Sequence, residues 1–128
     1  AAGDTGQLTM RANGPVRGRV RAVSALGRQS GGSLSRSEVQ RVINQNIGRI
    51  QRCYERQLIS NPNITGRVTF GWTIRPNGRV SGVRQQTSTL GNTAVTSCIS
   101  GVIRRMRFPR PQGGAVTISY PFMFQRAP

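Results

Sequence analysis

Between Leu58 and Gly66 the spacing of apolar residues changes from three and four to two, and this switch constrains the fold more than any other feature of the chain. Upstream of it, Val39, Val42, Ile43, Ile47, Ile50, Tyr54 and Leu58 recur at helical spacing. They lay one apolar stripe along about six turns, with Cys53 at its flank. Ser35 and Glu38 stand in capping-box positions before the stripe, where hydroxyl and carboxylate satisfy amides that the first turn leaves unpaired. Arg36, Arg41, Arg49, Arg52 and Arg56 take the remaining surface, and Asn61-Pro62-Asn63 ends the helix because proline cannot continue it. Downstream, Val68, Phe70, Trp72 and Ile74 alternate with Arg67, Thr69, Gly71, Thr73 and Arg75, the period of a strand buried on one face only.

Pro76-Asn77-Gly78 is a turn signal, so Arg79 to Thr87 returns as a second strand, with Gly82 marking a bulge. A second helix follows, capped by Asn92 or Thr93 and carrying Val95, Cys98, Ile99, Val102 and Met106 on one face. Arg104, Arg105 and Arg107 sit at its end, where the helix dipole is negative, and charge complementarity is their plain reading. After the connector Phe108 to Gly114, Val116, Ile118, Tyr120, Phe122 and Phe124 alternate as a last strand interrupted by Pro121. The order helix, strand, strand, helix, strand predicts an α+β fold, with two helices on one face of a three-stranded antiparallel sheet.

Residues 1–33 are rich in Gly and Arg and read as a flexible linker, so the domain proper is expected over 34–126. Within the linker, Val16, Val20 and Val23 interleave with Arg17, Arg19 and Arg21, a pattern that permits a short edge strand near 16–23. The chain begins without a signal-peptide pattern and has no run of 18 apolar residues. If it works outside the cytoplasm, its export signal or anchor is expected upstream in a longer parent.

Two cysteines and no histidine leave neither a zinc site nor a Cys-His nucleophile. A disulfide between Cys53 and Cys98 is the simplest use, since the two helices lie side by side in the expected topology, and it implies an oxidising compartment. Two separate buried thiols are the alternative. All 19 basic residues are Arg, and with only three acidic residues the net charge is +16. Such a surface draws anions, although an Arg-biased codon usage with solvated side chains accounts for it equally.

The chain has no Lys and no His, and Glu38 and Glu55 both lie on the first helix. No acid-base pair, metal site or cofactor motif is available, so the expectation is a binding protein and not an enzyme. Glu55 reads as an ion-pair partner of Arg52 or an exposed helix residue. Proline cannot donate to a ladder, which places the last strand at a sheet edge and makes Ala115, Val116, Thr117, Ile118, Ser119 and Tyr120 a candidate edge for an extended peptide.

Taken in order, Gly66-Arg67-Val68, Ile74 to Val80, Arg104 to Pro111, Gly113-Gly114 and Val116 to Phe124 resemble the TonB C-terminal domain. Gly32 to Ser35, Arg52-Cys53-Tyr54-Glu55-Arg56, Ser88 to Asn92, Cys98 and Tyr120-Pro121-Phe122 are similar to the AgmX/PglI-type branch of myxobacterial proteins. The family usually has Trp where this chain has Met106. The resemblance implies a periplasmic domain of an inner-membrane-anchored parent, coupled to a proton-driven motor complex and reaching an outer-membrane protein or its periplasmic segment. In the gliding branch it implies force transmission, with the partner's peptide captured on Ala115 to Tyr120.

Arg104, Arg105, Arg107 and Arg110 are candidate anion-attracting residues, and an anionic cell-wall polymer is a further candidate partner. Self-pairing of the exposed edge would give a homodimer. No small-molecule substrate is expected. The main alternative is an Arg-rich nucleic-acid or anionic-polymer binder, against which the aromatic residues argue, because their spacing assigns them to the core.

Overall fold

The structure, a computed structural model, describes residues 18–22 and 28–126. Its elements are β1 (Gly18–Ala22), β2 (Arg28–Ser33), α1 (Arg36–Leu58), β3 (Gly66–Ile74), β4 (Val80–Ser88), α2 (Thr93–Arg104) and β5 (Gln112–Arg126). The α+β class and the helix-strand-strand-helix-strand order hold from α1 onward. The sheet, however, has five antiparallel strands and not three, because β1 and β2 precede α1 and join it. The reading of residues 1–33 as linker with a possible short strand near 16–23 does not include β2. β1 answers to the expected strand near 16–23, although Val16, Arg17 and Val23 lie outside the described residues.

The periodic stripes are buried, with Ile47 and Cys98 only partly so. Along α1, Val39, Val42, Ile43, Ile50, Cys53, Tyr54 and Leu58 face inward, and the capping box is formed, with the Glu38 amide donating to Ser35 Oγ and the Ser35 amide to Glu38 Oε1. Asn92 caps α2 by accepting from the Val95 amide at 2.9 Å. Val68, Phe70, Trp72 and Ile74 of β3 and Val116, Ile118, Tyr120, Phe122 and Phe124 of β5 fill the middle of the core. Edge-to-face ring pairs Tyr54–Phe124 and Phe70–Phe122 tie that core to both α1 and the sheet. The Tyr54 hydroxyl donates to the Ile64 carbonyl, and burial pushes its ionisation above the usual tyrosine value, partly opposed by the Arg126 guanidinium.

β5 is interior, which corrects the expectation of a last strand at an edge. On one side it pairs with β3 without a register shift from Gly66↔Phe124 to Ile74↔Val116. On the other it pairs with β2 over Ser119 to Gln112 and with β1 over Arg126 to Phe122. Pro121 lies in register with Thr69 on the β3 side, and that ladder passes it without a shift. A proline withholds a donor from one side of its strand only, so it does not by itself make that strand an edge.

β4 forms one true edge, and two register shifts disturb its pairing with β3, one of them at Gly82, whose φ is +63°. No helix of the described residues is long and apolar enough to cross a membrane.

Candidate functional site

The flank of β5 expected to receive a partner peptide is occupied by the chain's own β2, with Arg28↔Ser119, Gln29↔Ile118, Ser30↔Thr117 and Gly31↔Val116 in register. Ala115 is exposed, Thr117 and Ser119 are half-buried, and the side chains of Val116, Ile118 and Tyr120 are in the core. What the flank offers is therefore main chain, and β2 takes it with main chain.

The sequence of β2, Arg-Gln-Ser-Gly-Gly-Ser, holds no apolar residue, and Gln29, Ser30, Gly31 and Ser33 are exposed. Its glycines are there for close approach. A Cβ on Gly32 would sit 2.2 Å from the Gly114 carbonyl oxygen and 2.7 Å from that of Gln112, and Gly31, at φ +90°, would meet the Ala115 oxygen at 2.7 Å. Gln29 ends the strand by a reciprocal pair with Leu34, its amide nitrogen donating to the Leu34 carbonyl and its oxygen accepting the Leu34 amide. β1 is held differently: the Gly18 amide donates to Glu55 Oε2 at 2.9 Å, and its Cα lies against the Tyr54 ring. Glu55 is half-buried and also accepts from Gln51 Nε2, so it tethers β1, where the sequence suggests an ion-pair partner of Arg52 or an exposed helix residue.

A second feature collects at the C-terminal end of β3. The turn after Ile74 closes through Gly78 N to Arg75 O and Arg75 N to Arg79 O, both 2.8 Å, and then locks onto the α2–β5 connector. The Phe108 amide donates to the Gly78 carbonyl at 3.0 Å, and Arg79 forms a β-bridge with Arg107. In the connector, Met106 and Phe108 are buried, so Arg105 and Arg107 point outward, as does Arg110. Arg104, Arg105, Arg107 and Arg110, singled out from sequence, are thus joined by Arg75 and Arg79, and all six are exposed. The two turn arginines could not be found from the linear run, because the Gly78–Phe108 contact that delivers them spans the chain.

The described carboxylates do not offset this charge. Glu38 bonds Ser35, and Glu55 bonds Gly18 and Gln51. Among the described residues no group of three or more His, Cys, Asp or Glu could hold a metal ion. Cys53 and Cys98 form the expected disulfide between α1 and α2, with Cα atoms 5.7 Å apart.

A stretch of 94 residues, 73% of this chain, is 32% identical to part of the protein named tyrosine-protein kinase MasK from Myxococcus xanthus (strain DK1622). The matched part is 14% of that protein's length, so the similarity is to a segment of a much longer chain. No protein-family model and no solved structure matches the chain.

Proposed function

We propose that this is a periplasmic, TonB-like interaction domain that passes proton-motive energy or force from an inner-membrane motor complex to an outer-membrane partner in gliding motility. It acts by binding and not by catalysis. The observation that carries the reading is β2: a strand with no apolar residue, paired to the longest strand of the sheet through its main chain. Such a cover is exchangeable. An incoming extended segment can make the same ladder and add side-chain contacts of its own, which is β-augmentation by replacement.

Three further observations support the assignment. The Cys53–Cys98 bond suits an oxidising compartment. The similarity to a segment of a longer myxobacterial protein suits a domain carried by a larger parent. The sequence has no Lys and no His, which suits a binding role.

The test is site-specific photo-crosslinking in cells that make the protein, with the photoreactive residue at Ser30 on the β2 flank or at Gln45 on the outer surface of α1. Crosslinks to an outer-membrane protein from Ser30 only, lost when a protonophore collapses the proton gradient, are the expected result. Equal products from both positions, or products indifferent to the gradient, refute it.

A further inference from the structure

The helix dipole accounts for too little of the charge at the arginine end. A helix C-terminus offers about half an elementary charge, and here the Arg105 and Met106 amides already bond the Val102 and Ile103 carbonyls of α2. Against that partial charge stand Arg75, Arg79, Arg104, Arg105, Arg107 and Arg110, all exposed, gathered by the Gly78–Phe108 lock. Complementarity to the dipole explains one or two of these residues and leaves the rest repelling one another. An anionic ligand relieves that repulsion.

The surroundings select the kind of ligand. All seven aromatic residues are buried, so no platform for stacking nucleic-acid bases is exposed. Among the described residues the exposed large apolar ones, Ile59 and Met123, lie toward the other end, Met123 being in register with Arg67 at the start of β3, so none of them is placed at the arginine end to insert into a lipid layer. The end is, however, continuous with the β5 flank. β2 runs toward it and finishes at Ser33↔Gln112, two residues beyond Arg110. A polypeptide paired as β2 is paired emerges there among the guanidinium groups.

We infer that the six-arginine end is the docking site for an acidic stretch of the protein partner, lying just C-terminal to the segment that pairs with β5. Arginine forks match carboxylates with paired N–H donors, and the cluster gives the captured strand a direction that main-chain pairing alone does not specify. The inference rests on the strand-replacement reading for the position of the acidic stretch, and on the charge distribution alone for its chemistry.

The experiment is fluorescence anisotropy with the full disulfide-bonded chain and three labelled synthetic peptides. One is a Thr-Val repeat followed by a Glu-Asp run, one has the same halves in reverse order, and one is the Glu-Asp run alone. The first peptide is expected to bind tightest. Replacing Arg75, Arg79, Arg107 and Arg110 by Gln together weakens it by about tenfold, the effect of four exposed charge pairs acting together. The same charge removed from α1, at Arg41, Arg49, Arg52 and Arg56, changes binding by less than about twofold.

Equal weakening by the two quadruple variants overturns the site, as does no binding of any peptide. Tighter binding of single-stranded DNA or anionic phospholipid vesicles of matched charge, lost in the first variant, overturns the choice of a protein ligand. If the acidic run alone binds as well as the first peptide and loses binding in the first variant only, the arginine dock stands while strand replacement fails. Unchanged melting of both variants, with the disulfide intact, confirms that each reports on binding.

Discussion

Reducing the Cys53–Cys98 bond is the perturbation whose magnitude follows most directly from the fold. The two residues are 45 apart in sequence, and the bond joins α1 to α2 on the same side of the sheet. In the chain-entropy treatment, a loop of that length removes about 4 kcal/mol of freedom from the unfolded chain at 25 °C. Reduction leaves both sulfur atoms in place, with Cys53 still among the buried core residues, so little packing is lost and almost the whole effect lies in the unfolded state.

A domain of this size unfolds with an entropy of roughly 0.2 kcal/mol per kelvin, which converts the loss into a fall in melting temperature of about 15–20 °C. Scanning calorimetry with and without a phosphine reductant measures the shift, and a thiol titration before each scan establishes that two thiols have appeared. A fall of less than about 5 °C in fully reduced protein refutes the reasoning. It would mean that the packing of α1 on α2 already restricts the unfolded chain, or that the bridge is strained enough to cancel its own constraint.

Gly32→Val places a branched side chain where Gly114 O would lie 2.2 Å from Cβ. Hydrogen exchange should then accelerate along the Gln112 to Ser119 flank while the melting temperature falls by only a few degrees, because β2 holds no apolar residue; cooperative loss of the whole sheet would show that β2 is structural and not a cover. Gly78 sits at φ +86° with its Cα against the Phe108 carbonyl, so Gly78→Ala should cost about 1–3 kcal/mol and free the Arg75–Arg79 turn, seen as lost amide protection at Phe108 in NMR exchange. Tyr54 is held neutral by burial, so its folded pKa exceeds the unfolded one. The stability from this group is complete below about pH 10 and lost as pH rises through the folded value. Tyr54→Phe should lower stability at neutral pH by about 1–3 kcal/mol, since the Ile64 carbonyl loses its donor. The variant should also flatten the alkaline limb of a melting curve series, and an unchanged limb would assign it elsewhere.

The parts of the fold that were legible in the sequence are those written in apolar spacing. Val39 to Leu58, Val68 to Ile74 and Val116 to Phe124 each bury a periodic stripe, and a stripe is visible one element at a time. The strand β2 left no such trace, because Arg28–Ser33 is held by main-chain bonds, by glycines that permit a close approach and by Gln29 folded onto Leu34. Without β2 in view, Pro121 looked like the mark of an edge. A proline withholds a donor from one side of its strand only, and the β3 ladder passes Pro121 unbroken.

The arginines divide in the same way: Arg104 to Arg110 are contiguous enough to notice, whereas Arg75 and Arg79 arrive through a backbone contact that no local pattern encodes. Both omissions have one physical root. A segment bound by main chain and charge has little sequence signature, since many sequences could make the same bonds. For that reason such a segment can be replaced by a strand from another protein. The feature hardest to read in this chain is accordingly the one on which the proposed strand replacement depends.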